Sequence, residues 1–183
     1  MRELTTTSYA ILALLAVRSW TTYELAKQMQ RSLRDVWPRA ESVVYEEPKN
    51  LVAHGLASAK TTRTGRRAST VYAITAKGRR QLRRWLEEPG SAPVTEFEAL
   101  LKVAFADQGT REGLLANLTA VRDYAERRRA DVVARLDEYA TTGGPFPDRL
   151  PVISLVARFQ LDQAEMLFRW AEWARLEVES WSG

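Results

Sequence analysis

The chain has 183 residues, 45% of them apolar, with no cysteine and a single histidine. That length and content suit one ordinary domain or two small ones and exclude disulfides, thiolate metal sites and disorder throughout. The formal charge of +4 conceals an asymmetry: residues 1–86 carry 16 Lys and Arg against 6 Asp and Glu, and residues 87–183 carry 11 against 17, so a nucleic-acid surface is expected on the front half alone.

The first helix should start in the Thr5-Thr6-Thr7-Ser8 cluster and run to Val17, because Tyr9–Val17 contains no breaker. Apolar on every side, it must be buried on more than one face, one on its own domain and the other on a partner subunit. Its nine-residue apolar run is far short of the ~20 residues that span a bilayer, and Glu3 with the capped polar helix that follows opposes a signal peptide. A cytoplasmic protein with no membrane partner is expected.

Thr21 and Glu24 form a capping box that opens a second helix over residues 22–30, with Leu25 and Met29 inward. Ser42 is the expected cap of a third helix that ends at His54, with Gly55 in the left-handed position. Val44, Leu51 and Val52 share one stripe, which leaves Ser42, Tyr45, Glu46, Lys49 and Asn50 outward. Pro48 removes one backbone hydrogen bond, so a kink near Val44 or a late helix start is predicted.

Thr64-Gly65 marks a turn between two strands of about five residues, with Arg63, Arg66 and Arg67 at the hairpin tip and Lys60 on its flank. A fourth helix follows from Ala76 to Glu87, with Leu82, Trp85 and Leu86 inward and Arg79, Arg80, Arg83 and Arg84 outward. Three short helices followed by a basic hairpin and a capped helix make the pattern of a winged helix-turn-helix with a two-stranded wing.

Pro89-Gly-Ser-Ala-Pro93 is the domain boundary, giving a DNA-binding domain over 1–88, a linker over 89–95 and a helical dimerisation domain over 96–183. In the rear part Phe97, Leu100, Leu101, Val103, Ala104 and Phe105 predict a short, heavily buried helix. Thr110 should cap a long helix through Leu114, Leu118, Val121, Tyr124, Val132 and Leu136 to Tyr139. Gly143-Gly-Pro-Phe-Pro147 ends it, and a last helix runs through Val152, Leu155, Phe159, Met166 and Trp170 to Trp181. The two long helices should lie antiparallel as a hairpin, so the fold is mainly α with a three-helix C-terminal domain.

The segments Tyr9-Ala-Ile-Leu-Ala-Leu-Leu, Thr22-Tyr-Glu-Leu-Ala-Lys, Ser42-Val-Val-Tyr, Leu51-Val-Ala-His-Gly-Leu56 and Tyr72-Ala-Ile-Thr-Ala-Lys-Gly78 resemble the PadR family of bacterial transcriptional regulators. The rear half resembles, by its layout, the Vir-like helical domain of the longer members. The resemblance implies a homodimer on an inverted-repeat operator, usually a repressor and sometimes released by a small molecule. In it the first helix, here through Tyr9, Leu12 and Leu15, and the tail, through Phe159, Met166 and Trp170, build the subunit interface. Glu46-Glu47-Pro48 departs from the family's commonest pattern after the helical tyrosine.

On the docking logic of a helix in the major groove, Tyr45, Lys49 and Asn50 are the candidate base readers, with Ser42 and Arg39 nearer the backbone. Lys49 suits guanine or phosphate and Asn50 suits adenine. Lys60, Arg63, Arg66 and Arg67 suit the minor groove or flanking phosphates. Trp170 and Trp173 could line an effector site that sandwiches a small aromatic ligand, against the plainer reading as core or dimer contacts. No nucleophile motif, glycine-rich phosphate loop or metal-ligand cluster appears, so neither an enzyme, a metal site nor a cofactor is expected. The alternative is a helical adaptor whose basic module binds an acidic protein partner.

Overall fold

The computed structural model describes residues 2–33, 36–37, 41–64 and 67–181. The chain divides into two compact units, Met1–Ala92 and Pro93–Gly183. The first contains α1 (Thr6–Val17), β1 (Trp20–Thr21), α2 (Thr22–Ser32), α3 (Glu41–Ala53), β2 (Ala57–Thr64), β3 (Arg67–Ile74) and α4 (Ala76–Glu87). The second contains α5 (Glu98–Ala104), α6 (Arg111–Thr142) and α7 (Leu150–Ser180), with 3-10 turns at Ala106–Gln108 and Pro147–Arg149.

Helices α1, α2 and α4 each start where a side chain can satisfy a free amide. The Thr5 amide donates to Ser8 Oγ at 2.9 Å, and Thr21 and Glu24 close a reciprocal box at 3.2 and 2.8 Å. Thr75 accepts from the Gly78 amide at 3.0 Å. The end of α3 is a Schellman turn: Gly55, with φ of 69°, donates to Val52, and Leu56 donates to Leu51, each at 2.9 Å. Gly78 is required by a close approach, since a Cβ there would lie 2.1 Å from the Leu56 carbonyl oxygen.

The core of this unit comprises Ile11, Leu12, Leu15, Leu25, Met29, Val44, Leu51, Leu56, Tyr72 and Leu82. Leu12 and Leu15, expected at a subunit contact, lie in this protomer's own core, where both are at most 1% exposed. What α1 leaves half-buried is Tyr9, Ala10, Ala13, Ala16 and Val17. The Tyr9 ring stacks on Trp85 with centroids 4.9 Å apart, and its hydroxyl accepts from Gln81 at 2.9 Å. Leu86, predicted inward, is exposed.

The sheet has three strands in the order β1-β3-β2, all antiparallel, with Trp20 opposite Tyr72 and Ala57 opposite Ile74. The hairpin strands are eight residues each, longer than the five predicted. The two-residue β1 was not legible in the sequence, and it forms because Trp20 is pinned. Its indole N–H donates to the Leu14 carbonyl at 2.7 Å and the Arg18 guanidinium lies 3.5 Å above its ring.

In the second unit α6 and α7 form an antiparallel hairpin. Arg111 donates to the Val178 carbonyl at 3.0 Å near one end, and Arg135 donates to Gln160 at 2.9 Å toward the other. The seam takes Leu114, Leu118, Val121, Ala125, Arg128 and Val132 from α6. From α7 it takes Ala157, Gln160, Ala164, Ala171, Ala174 and Val178. Small residues at seven-residue spacing let the two backbones approach closely. The large apolar residues of α7 therefore face away: Val152, Phe159, Met166 and Trp173, also seven apart, are each at least 50% exposed.

Two expectations fail here for related reasons. The short helix at residues 98–104 is not heavily buried. It packs through Val103 on the cluster of Leu114, Leu118, Ala174 and Val178, and Leu100, Leu101 and Phe105 are left exposed. Tyr124 is likewise exposed on the outer side of α6. Among the described residues, no helix is long and apolar enough to cross a membrane.

Candidate nucleic-acid interface

The presented face of the first unit is decided by α3. The helix spans Glu41–Ala53, which puts Ser42 inside its first turn rather than at its cap, so of the two expectations for Pro48, a kink near Val44 or a late start, the late start is not met. The inner stripe is Val44, Glu47, Pro48 and Leu51, all buried, with Val52 half-buried beside it. Opposite them, Ser42, Tyr45, Glu46 and Lys49 are exposed at spacings of three and four, one continuous helical face. Asn50 lies at the margin, half-buried.

On that face Lys49 and Glu46 are paired, Nζ to Oε1 at 2.7 Å. The hydrogen bond that Lys49 donates to Glu46 holds the ammonium above its ordinary pKa, so the lysine stays charged beside an opposite charge. Asn50 does not point freely outward, because its Nδ2 donates to Glu47 Oε1 at 3.0 Å.

Glu47 is the residue that sequence reasoning missed. It is fully buried, and it also accepts from Ser8 Oγ at 2.5 Å and from the Arg2 guanidinium. The available signal was its position: 47 lies three residues after Val44 and four before Leu51, within the apolar stripe, which marks an acid that must be inward and must find donors. Two of its three donors, Arg2 and Ser8, come from the chain's first ten residues, so that pairing is a tertiary fact.

The hairpin packs against α3 through β2, on which Lys60 is exposed. Arg39 and Arg66 lie outside the described residues, and so do the side chains of Arg63 and Arg67. Along α4, Arg79, Arg80, Arg83 and Arg84 are exposed, with Arg79 donating to the Ala16 carbonyl at 3.4 Å. An exposed helical face beside a hairpin of basic residues is the arrangement that lets a helix enter a groove while a wing meets the sugar–phosphate backbone.

Comparison with known proteins decides the family. Residues 11–84 match the transcriptional regulator PadR-like family and residues 97–179 match the virulence activator alpha C-terminal family. A probable transcriptional regulator of Mycobacterium tuberculosis is 31% identical over 142 residues, covering 72% of this chain and 71% of that protein. The chain belongs to the PadR-like family. It is a DNA-binding transcription regulator. The negative transcriptional regulator PadR of Bacillus subtilis is 30% identical over 99 residues, covering 53% of this chain and 54% of that one. Its crystal structure in complex with operator DNA superposes with a TM-score of 0.81 at 22% identity, over 95% of this chain and 99% of that one. Its complex with p-coumaric acid superposes with a TM-score of 0.75 at 20% identity, over 96% and 100%. Both show that this chain has the PadR fold, mainly helical with a small antiparallel sheet and long C-terminal helices.

In this PadR-like chain the two tryptophans proposed for an effector do not form a sandwich within the second unit. Trp170 packs on the cluster of Leu114, Leu118, Ala174 and Val178, with its ring edge-on to Phe97 at 6.3 Å, while Trp173 is exposed. A cavity of about 390 Å³ opens nearby, lined by Leu101, Phe105, Leu114 and Asn117 among others. Phe159 and Met166 are exposed and available to a partner, whereas Trp170 is mostly covered by its own unit.

Proposed function

We propose that the protein is a homodimeric repressor whose α3 enters the major groove of an inverted-repeat operator. The observation that carries the reading is the single exposed face of Ser42, Tyr45, Glu46 and Lys49 on a helix whose other side is anchored in the core. Lys60, Arg63, Arg66 and Arg67 supply phosphate or minor-groove contacts from the wing, and Arg39 supplies another near α3. Residues 1–88 form the DNA-binding domain, 89–95 the linker and 96–183 the dimerisation domain. The exposed heptad row of Val152, Phe159, Met166 and Trp173 supplies the subunit contact, since an apolar stripe of this period pairs with another helix. Repression follows the negative regulator of Bacillus subtilis, and release by a small aromatic acid follows its complex with p-coumaric acid.

The test is fluorescence anisotropy on duplexes tiled across the DNA flanking the protein's own gene, at several salt concentrations. A repressor of its own locus binds one tile at least ~1,000-fold over a scrambled duplex, with log affinity falling steeply in log salt. Equal, salt-insensitive binding to every tile would remove the DNA reading of this basic module in favour of an acidic protein partner.

A further inference from the structure

Glu47 is fully buried between α1 and α3. Its Oε1 receives the Ser8 hydroxyl and the Asn50 amide, and its Oε2 receives Arg2. Ser8 Oγ in turn accepts from the Thr5 amide, so a hydrogen-bond chain runs from the first turn of α1 to the outer margin of α3. The need for such an anchor is local. Pro48 has no N–H to give the Val44 carbonyl, so α3 lacks one of its own bonds beside Glu47.

A carboxylate only accepts, and this decides which way the Asn50 amide faces: Nδ2 toward Glu47. One N–H is then occupied. That leaves the second N–H and Oδ1 to recognise another partner, and a carboxamide's donor–acceptor pair matches N7 and N6 of adenine in the major groove. An amide in place of Glu47 would offer one acceptor oxygen instead of two and would turn an NH2 toward another donor.

We propose that Glu47 is a positioning residue for base recognition. It holds the Asn50 carboxamide against rotation in the orientation that reads an adenine, and ties it to α1 through Ser8 and to the N-terminal arm through Arg2. The proposal rests on the reading that α3 lies in the major groove. It assigns a specificity role to an acid that never touches DNA.

The experiment uses the full-length protein and the genomic tile it binds tightest, with each A·T pair of that tile exchanged in turn for G·C. Affinities are measured for the wild type, Asn50→Ala, Glu47→Gln and the double variant. At one pair in each half-site the exchange should weaken the wild type about 10- to 100-fold. It should matter less than about threefold for either single variant, and the double variant should discriminate no worse than the singles. If Glu47→Gln keeps the full loss at a pair where Asn50→Ala has none, the proposal is overturned while the groove reading stands. If no pair responds to Asn50→Ala, the proposal fails with the placing of Asn50. Tyr45→Ala and Lys49→Ala in the same series then report whether α3 is in the groove at all. Should Glu47→Gln not fold, NMR of the wild type decides. One Asn50 Nδ2 proton should be displaced and slow to exchange with water, and two protons exchanging as fast as those of the exposed Gln30 overturn the idea.

Discussion

In the N-terminal unit the large aliphatic side chains point into the unit itself, from Ile11 and Leu12 on α1 to Val44 and Leu51 on α3. In the C-terminal unit α7 turns Ala157, Ala164 and Ala171 toward α6 and leaves Val152, Phe159, Met166 and Trp173 in solvent. Both segments are rich in apolar residues, so composition does not separate them. Geometry does: several short helices around a three-stranded sheet can enclose a side chain from all directions, whereas a two-helix hairpin has only one seam. The first unit holds a core without help, and the second keeps an apolar face for another surface.

The largest effect should come from the pair of substitutions that tests this contrast most directly. Leu12→Ala should cost about 2–5 kcal/mol in denaturant unfolding, as a large-to-small change in a closed core. Phe159→Ser should leave unfolding of the isolated protomer nearly unchanged but shift sedimentation toward monomer at micromolar concentration. A Phe159→Ser protein as unstable as Leu12→Ala, or one with unchanged sedimentation, would break the comparison.

Next in size, Gly78→Ala should cost about 1–3 kcal/mol by driving a methyl group into the Leu56 carbonyl, which forces α4 and β2 apart. A thermal melt measures this, and an unshifted Tm would mean that the close approach relaxes freely.

Glu24 gives a smaller, pH-dependent effect. The Thr21 backbone amide, followed by the Thr21 hydroxyl and Arg18, holds its carboxyl below the ordinary range against the opposing effect of partial burial. A depressed folded-state pKa adds stability that is present above the unfolded value of about 4.3 and disappears as pH falls through the folded value. Stability of Glu24→Gln should therefore lie below that of wild type at neutral pH and converge with it toward pH 3. Parallel curves across that window would contradict the cap assignment.

The smallest expected change is on the presented face. Glu46→Gln should free Lys49 and remove a like charge from the phosphates. It should tighten DNA binding several-fold and steepen the slope of log affinity against log salt by up to about one unit. Weaker binding would instead mean that Glu46 itself contacts a base.

The elements of the first unit were largely legible because each is written locally. Thr21 and Glu24 open α2, Thr75 opens α4 and Gly55 closes α3, and such signals act within one turn of helix. The outward row of Tyr45, Glu46 and Lys49 was legible for the same reason, since it follows from helical period once Val44 and Leu51 are inward.

What only the tertiary structure decided depends on which element meets which. Helical spacing alone does not say which face of α7 meets α6; alanines seven residues apart fit that seam more closely and leave Phe159 and Met166, expected at the subunit contact, on the exposed side. Leu12 and Leu15 read as interface residues, yet α3, α4 and β3 close over them. Glu47 looked like one more surface acid until Arg2 and Ser8, about forty residues earlier, supplied its donors. Period and capping are properties of a segment and are carried by its residues. Burial is a property of a neighbourhood, which exists only once distant parts of the chain have met.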